Sequence, residues 1–249
     1  MPRFKKILLV LLPLILSVYG GCSGKEIDAS LPPASLLVQC QKLGQKNKHE
    51  KAINCLETLK GRYPGSPEAI EADLYIADNQ FRQKEYLLAT ETYRNFIKLN
   101  PVHPKLDYAY YRTGLSYLKE TPKAIDRDQQ YLDDAINYFE ILLKYYPYSQ
   151  YTEINKEKWE EARRRVASRI YYVGRFYYRT GEYIAAIPRF EEVYQNYPAL
   201  GIDEQALYYL ALSHIKLSQK TEALGIFNIL ESRFPAGRYA KRLTGKLGL

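Results

Sequence analysis

Residues 182–198 read EYIAAIPRFEEVYQNYP, a helical pattern that ends at a proline. Its apolar positions are three and four residues apart, the period that places side chains on one face of an α-helix. They are Tyr183, Ala186, Ile187, Phe190, Val193 and Tyr197. Pro198 cannot continue the helix, because it lacks a backbone N–H and clashes with the preceding turn. We therefore predict one amphipathic helix that packs through a single face.

The same unit occurs four more times along the chain. An alanine lies twelve residues before a proline at Ala52/Pro64, Ala89/Pro101, Ala135/Pro147, Ala186/Pro198 and Ala223/Pro235. Four residues after each alanine comes a large side chain: Leu56, Tyr93, Phe139, Phe190 or Phe227. Five copies in register indicate an array of repeats.

A small residue stands twelve residues before four of these alanines, at Cys40, Ala77, Gly174 and Ala211, and in the third copy Gly114 lies nine residues further upstream. A small side chain there lets the first helix of a pair approach the second closely. This pattern is typical of the tetratricopeptide repeat, slightly stretched from its usual period of about 34 residues. We predict an all-α fold, a right-handed superhelical solenoid of five tetratricopeptide-like helix pairs. The pairs are predicted at 35–63, 67–100, 106–146, 155–197 and 203–234. Together they form one unit over residues 35–249, which ends in a short basic helix over 238–246.

Two insertions interrupt the regular spacing. Successive repeat prolines are 37, 46, 51 and 37 residues apart, so the third and fourth copies are longer than the others. The first insertion, residues 120–130, is polar and predicts a loop, either solvated or part of a binding site. The second lengthens one helix to residues 155–179. Its first half, with Trp159 and Arg163-Arg164-Arg165, is predicted to project beyond the packed pair, as a solvated charged helix or as a surface that docks a partner.

Charge and composition narrow the class of protein. The 249 residues carry a formal net charge of +8, which falls to +5 when the three charges of Arg3, Lys5 and Lys6 are removed with the leader described next. This is too weakly basic to indicate a nucleic-acid-binding protein. The 25 tyrosines are more informative. Because tyrosine joins a large apolar ring to a polar hydroxyl, it suits both packing between helices and peptide-binding grooves.

The first residues have the composition of a targeting segment. Residues 1–6 are positively charged, residues 7–16 are apolar, and Gly20-Gly21-Cys22 forms a small-residue end. The apolar stretch is too short to cross a bilayer core of about 30 Å as a helix.

This segment resembles a bacterial lipoprotein signal, although Tyr19 stands where leucine is usual. The resemblance implies a signal peptide over residues 1–21 and a lipid attached to Cys22. Residues 22–34, which have no apolar period, would form a lipidated tether. An ordinary secretory signal or a retained anchor is the alternative.

Export would place two further cysteines in an oxidising compartment. Cys40 and Cys55 both fall in the predicted first pair, where they look like small buried residues. Packing in the core is the favoured interpretation, and a disulfide between them or a reactive or metal-binding thiol are the alternatives. We predict no metal site, since the sequence has neither a CxxC motif nor a Cys/His cluster with ligand spacing.

Five segments stand out beyond the repeat pattern. They are NPVHP (100–104), DYAYYRTGL (107–115), DRD (126–128), YPYSQY (146–151) and GEYIAA (181–186). In order and spacing they resemble the BamD family, the lipoproteins of the outer-membrane β-barrel assembly machinery. The two insertions coincide with that family's own.

This resemblance implies a non-catalytic scaffold without a cofactor, lipid-anchored in the outer membrane on its periplasmic side. The C-terminal repeats would hold the last periplasmic domain of BamA, the barrel-forming subunit, alongside other lipoproteins of the machinery. The N-terminal repeats would receive the C-terminal targeting strand of unfolded outer-membrane proteins.

First-helix residues of the second and third pairs are the candidates for that peptide groove. They are Leu74, Tyr75, Phe81, Tyr108, Tyr111 and Arg112. Their aromatic faces suit an apolar peptide that ends in an aromatic residue, and Arg112 would be available to its carboxylate. Each could instead belong to the core between repeats.

Arg189 matches the exposed arginine through which the family contacts an acidic residue of BamA. It lies off the apolar face of residues 182–198, so its guanidinium would be free to form two hydrogen bonds with a partner's carboxylate. The alternative is an ion pair with Glu192 within the same helix. Trp159 and Arg163 are further candidates for the same partner. Pro188 is expected to kink the helix or to remove a hydrogen bond.

The turn over residues 64–67 also departs from the family, because it is short and lacks the aromatic residue that relatives carry there. This departure weakens the expectation of substrate contact at that edge.

Other classes of protein fit the sequence less well. The runner-up is a lipidated periplasmic repeat protein, such as a pilotin or adaptor for a secretin or pilus system, but such an array is not expected to carry NPVHP and YPYSQY in this order. Catalysis is disfavoured because His49, His103 and His214 lie on different predicted elements. Paired carboxylates, a nucleophile elbow and a phosphate loop are missing from the sequence. The four basic residues over 238–246 are too few to indicate nucleic-acid binding.

Overall fold

A computed structural model describes residues 27–235 and 237–248, which form eleven α-helices and no strand. The bounds are α1 (Pro33–Gln45), α2 (His49–Arg62), α3 (Pro67–Arg82), α4 (Tyr86–Leu99), α5 (Leu106–Glu120), α6 (Tyr131–Tyr145), α7 (Thr152–Thr180), α8 (Tyr183–Asn196), α9 (Asp203–Lys216), α10 (Lys220–Arg233) and α11 (Arg238–Leu247). Each helix packs mainly against the helices before and after it in the chain. The predicted all-α solenoid of five helix pairs is confirmed. The predicted signal peptide over 1–21 and the lipid site Cys22 lie outside the described residues.

Small residues set the close approach of the two helices within a pair. A Cβ atom built on Gly114 would lie 2.6 Å from the ring of Phe139, and one built on Gly174 would lie 2.8 Å from the ring of Phe190. The five repeat alanines are completely buried, and the large residues four positions later are at most 7% exposed. The residues that define the repeat in the sequence therefore form the core of each helix pair.

The repeat prolines fix the ends of the second helices. In every pair the second helix ends two residues before its proline, as α2 does at Arg62 and α8 at Asn196. A proline disfavours the helical conformation for the residue before it, so the chain leaves the helix one residue early. The turns that follow are short and lead directly into the next pair.

The two insertions have the predicted secondary structure. Residues 121–130 connect α5 to α6 without a helix. Helix α7 has 29 residues and is therefore about 44 Å long. It begins at Thr152, three residues before the predicted start.

The prediction that the first half of α7 projects from the molecule is wrong. Ala162 is completely buried and packs in one cluster with Phe139 and Leu142 of α6. The side-chain amide of Asn155 donates to the carbonyl of Phe139 at 2.9 Å, and the indole N–H of Trp159 donates to Glu140 at 3.1 Å. The extra turns pack because apolar and small residues recur on one face between the charged ones.

Two of the three consecutive arginines of α7 bind the end of α8 and the turn that follows it. The Nη2 of Arg163 donates to the carbonyl of Asn196 at 2.6 Å, and the Nε of Arg164 donates to the carbonyl of Leu200 at 3.2 Å. The carbonyls at the end of a helix have no partner within it and attract positive charge. These two side chains therefore fasten α7 to the turn that follows α8.

The third arginine holds the loop of the first insertion. Arg165 donates to the carbonyls of Leu118, Thr121 and Pro122 and to the side-chain oxygen of Gln129, at 2.6–3.3 Å. Burial lowers the pKa of Arg165. The loop is thus tied to α7 by its backbone, and the arginine run is structural.

A disulfide bond joins Cys40 of α1 to Cys55 of α2. The expectation that both cysteines are buried is confirmed, but simple core packing, which we favoured over pairing, is wrong. Cys40 occupies the small-residue position where the helices of a pair approach each other, and Cys55 faces it, so their Cα atoms are only 5.3 Å apart. The two cysteines are 15 positions apart in the sequence, and a crosslink over this distance stabilises a fold by about 3 kcal/mol.

Helix α8 continues through Pro188. The hydrogen bond that the proline removes would have gone to the carbonyl of Ile184, a residue that is 75% exposed. Water can satisfy this carbonyl. The proline therefore lies on the solvent side of the helix, where its effect is smallest.

Helix α11 closes the end of the array. Its side chains Tyr239, Leu243 and Leu247 pack on Leu207 of α9 and Leu230 of α10. Among the described residues, no helix is both long and apolar enough to cross a membrane.

The contact at Gly114 yields a test of the helix packing. We expect Gly114→Ala to lower the free energy of unfolding by about 1–2 kcal/mol, because overpacking at the Phe139 ring outweighs the better helix propensity of alanine. Gly225→Ala in α10 is the matched control, since a Cβ atom there meets nothing within 4 Å. It should raise the free energy by about 0.5–1 kcal/mol. Urea denaturation measures both, and a Gly114→Ala protein as stable as the control would contradict the packing account.

Candidate functional site

A network of polar and aromatic side chains joins α3, α4 and α5, and Asp78 is its centre. The hydroxyl of Tyr108 donates to Oδ1 of Asp78 at 2.6 Å, and the hydroxyl of Tyr93 donates to the same oxygen. The Nε of Arg112 lies 3.4 Å from this oxygen and donates to the hydroxyl of Tyr93 at 2.9 Å. One carboxylate on α3 therefore organises a tyrosine of α4 and a tyrosine and an arginine of α5.

Burial and the nearby charge of Asp78 raise the pKa of Tyr93 and the pKa of Tyr108. Both hydroxyls therefore remain protonated donors to the carboxylate well into the alkaline range. The guanidinium of Arg112 also lies over the ring of Phe81, at 4.0 Å from its centroid, in a cation–π contact.

The prediction that Arg112 is available to the carboxylate of a peptide is not what the structure shows. Its side chain is only 16% exposed, and Asp78 already balances its charge. An arginine in this setting stabilises the contact between the second and third pairs. Asp78, which the sequence analysis did not select, is the acidic partner one repeat earlier in the chain.

The six predicted groove residues divide into two groups. Leu74, Tyr75 and Tyr108 line a cavity of about 290 Å³, together with Lys105 and Tyr151. Tyr111, Phe81 and Arg112 are packed between helices. Tyr111 is 7% exposed, and its ring stacks on that of Tyr151 at 5.6 Å.

Lys105, which was not selected from the sequence, places an ammonium group at this cavity, and the lining also holds two carboxylates. The ammonium lies 2.7 Å from Glu71 and 5.5 Å from the centroid of the Tyr75 ring. Because Lys105 lies in the turn between the second and third pairs, only the superposition of repeats brings it beside Tyr75. The segments NPVHP and YPYSQY contribute Pro104 and Tyr151 to the same cavity.

A second cavity, of about 430 Å³, lies where α6, α7 and α8 meet. Arg189 and Glu192 of α8 line it with Arg169 of α7, over an apolar floor that includes Leu132 and Val166. The Nη1 of Arg189 lies 3.4 Å from Glu192, so the intrahelical pair forms, yet the arginine side chain is 48% exposed. Such an exposed pair contributes at most about 1 kcal/mol. Arg189 can therefore exchange Glu192 for a better acidic partner.

Trp159 and Arg163 lie near this region but contact the protein itself. The guanidinium of Arg163 is 4.5 Å from the centroid of the Trp159 ring and 5.5 Å from that of Tyr197. With the hydrogen bond from Arg163 to Asn196, these contacts hold the end of α8. Both residues are partly exposed.

The histidines do not converge on one site. His49 hydrogen-bonds Asn79 at 2.9 Å, His103 accepts from the backbone of its own turn, and His214 pairs with Gln219 at 2.8 Å. Within the part of the chain that is described, no group of three or more His, Cys, Asp and Glu residues could hold a metal ion.

The stacked helix pairs and the two cavities between them define a class of protein: a tetratricopeptide-type solenoid with candidate binding surfaces for polypeptides. The chain belongs to the family described as YfiO, outer membrane lipoprotein, which matches residues 30–224. This is the family of the outer-membrane assembly factor BamD.

Several curated relatives carry the name outer membrane protein assembly factor BamD. The protein of Rickettsia prowazekii is 30% identical, with 91% of this chain and 92% of the relative covered. That of Vibrio cholerae is 30% identical over 74% of this chain and 81% of its own. That of Neisseria meningitidis serogroup B is 27% identical over 96% and 94%. The resemblance to the BamD family is therefore confirmed over most of the chain.

The Asp78 network can be tested by removing its centre. We expect Asp78→Ala to lower the free energy of unfolding by about 2–4 kcal/mol, because Arg112 and two tyrosine hydroxyls lose a common acceptor in a largely buried place. Glu71→Ala, which breaks the exposed pair with Lys105, should cost at most about 1 kcal/mol. Thermal and urea unfolding distinguish the two. Equal effects would show that the network is no more than a surface ion pair.

Proposed function

We propose that this chain is a non-catalytic lipoprotein scaffold of the β-barrel assembly machinery in the outer membrane, facing the periplasm. The observation that carries the proposal is the family match over residues 30–224. The scaffold would bind the last periplasmic domain of BamA, other lipoproteins of the machinery, and the C-terminal targeting strand of unfolded outer-membrane proteins.

Arg189 is the proposed contact with BamA. Its pair with Glu192 is weak, and the cavity beside it offers apolar surface for a partner's side chain next to the charge. A carboxylate from BamA could bind the planar guanidinium in a bidentate way, which a lysine could not do. Trp159 and Arg163 would act at the edge of this surface, by holding the end of α8.

The cavity at Leu74, Tyr75 and Tyr108 is the proposed contact with a targeting strand. Its volume of about 290 Å³ suits one large side chain, and three tyrosines, Tyr75, Tyr108 and Tyr151, form part of its walls. An aromatic side chain gains from edge and face contacts with such walls in addition to the burial of its area. Lys105 at the rim, which pairs with Glu71, would exchange this partner for an acidic group of the peptide.

Lipid on Cys22 would place the solenoid at the membrane surface. The predicted tether of residues 22–34 overlaps the start of α1 by two residues, because this helix begins at Pro33. A diacylated cysteine anchors a protein stably because two or more chains bury many methylene groups.

Reversing the charge of Arg189 tests the BamA contact. We expect Arg189→Glu to reduce the affinity for BamA by at least about thirtyfold, since loss of a charge pair at an interface typically costs 2–5 kcal/mol. Helical content and melting temperature should hardly change, because the residue is exposed. Arg62→Glu on α2 is the matched control and should bind BamA normally. Co-purification from membranes measures both, and a folded Arg189→Glu protein that retains BamA would remove this site from the proposal.

The anchor is tested at Cys22. In the Cys22→Ala variant no lipid can be attached, so the protein should move from the membrane fraction to the soluble periplasmic fraction. A Cys22→Ala chain that stays with the outer membrane after washing with high salt and urea would refute lipidation as the means of anchoring.

A further inference from the structure

A third cavity, of about 380 Å³, lies between α7, the start of α9 and the inserted loop. Its lining includes Ile125 of the loop, Tyr171, Tyr172, Arg175 and Arg179 of α7, and Ile202 just before α9. This volume lies within the range of about 300–1,000 Å³ that is usual for ligand pockets. None of the five segments that resemble the BamD family contributes a residue to its lining.

Arg175 is held in a fixed position beside this cavity by two tyrosines. Its guanidinium lies 4.0 Å from the centroid of the Tyr209 ring, and its Nη1 donates to the hydroxyl of Tyr171 at 3.2 Å. Stacking and one neutral hydrogen bond orient the group without balancing its charge. An arginine held in this way is ready to bind an anion, because little side-chain entropy remains to be lost.

The charge of Arg175 is not balanced as that of Arg112 is, the arginine selected from the sequence. Arg112 has Asp78 as an acidic partner. Over the described ranges, Arg175 has no carboxylate within salt-bridge distance, and its buried Nε has no hydrogen-bond partner. Arg179, one turn further along α7, forms no ion pair with a described residue either. The cavity therefore has a positive charge that the surrounding side chains leave unbalanced.

Apart from Ser168 and Gln205, the rest of the lining is apolar or aromatic. Tyr172 is 44% exposed at the cavity, and Ile125 and Ile202 face it from the loop and from the start of α9. A ligand for this place must bring a carboxylate and an apolar side chain into a space that holds only one or two residues. In a polypeptide, the last residue of the chain offers both groups on one Cα atom, whereas aspartate and glutamate carry the carboxylate in place of an apolar side chain.

We infer that this cavity binds the C-terminal residue of an apolar polypeptide, with its carboxylate on Arg175 and its side chain against Tyr172, Ile125 and Ile202. The inference rests on the proposed function, in which the scaffold receives C-terminal strands, and it moves the recognition of the carboxylate from the third helix pair to the fourth and fifth. Arg179 strengthens the field at the rim of the cavity. The cavity at Leu74 then contacts residues further back in a strand or a different segment.

Peptide binding to the full chain tests this assignment. The probe is a fluorescein-labelled peptide of alternating apolar residues that ends in phenylalanine, prepared as the free acid and as the C-terminal amide. Fluorescence anisotropy should show the acid binding at least about tenfold more tightly than the amide, since a hydrogen bond to a charged group contributes about 1.5–3 kcal/mol. Arg175→Met should abolish this difference, while Arg112→Met, if folded by circular dichroism, should keep it.

A second measurement does not depend on the folding of either arginine variant. A photo-crosslinking amino acid at Gln205, which lines the cavity, should crosslink to the free-acid peptide, and unlabelled acid should compete better than unlabelled amide. If Arg175→Met still prefers the acid over the amide, or if only Arg112→Met loses this preference, the inference is overturned. The proposed strand binding would then remain intact. Binding of neither peptide would instead refute the proposed binding of targeting strands.

Discussion

The close approach of a glycine to an aromatic ring is the constraint on which the central part of this solenoid depends. Gly114 faces Phe139 and Gly174 faces Phe190, and in both places an additional Cβ atom would overlap the ring. Because the two helices of a pair can approach this far, the buried alanines and aromatic residues form the core of each pair. The outward side chains of the first helices are then brought together from successive pairs, and the candidate binding surfaces arise from this alignment.

The same constraint positions Arg189. A Cβ atom on Gly174 would lie 3.1 Å from the Cβ of Arg189, so the stem of the arginine rests on the glycine while its charged end reaches the cavity between α6, α7 and α8. The arginine run of α7 completes this arrangement by fastening the turn after α8 and the inserted loop. Residues that are far apart in the chain thus make one central region, in which the proposed contact with BamA and the proposed contact with the end of a peptide lie on opposite sides of α7.

The fold was largely predictable because tetratricopeptide positions repeat in the sequence and each repeat position has one structural role. The packing of α7 was not predictable. In the sequence Arg163-Arg164-Arg165 looks like a solvated face, but these side chains donate to backbone carbonyls. Every residue carries a backbone carbonyl, so such an acceptor cannot be recognised from the sequence. The candidate sites were predictable only in part. Arg112 and Tyr108 were recognised as neighbours, but their partner Asp78 lies one repeat earlier, and only the superposition of helices shows that it binds Arg112.

The central claim is that this solenoid is a scaffold that holds the barrel-forming subunit of the assembly machinery. It is tested most directly by purifying the affinity-tagged full-length chain from detergent-solubilised outer membranes and identifying its stoichiometric partners by mass spectrometry. The account predicts BamA as the main partner, with the other lipoproteins of the machinery in smaller or equal amounts. A secretin or pilus subunit as the main partner, with BamA missing from the purified complex, would contradict it.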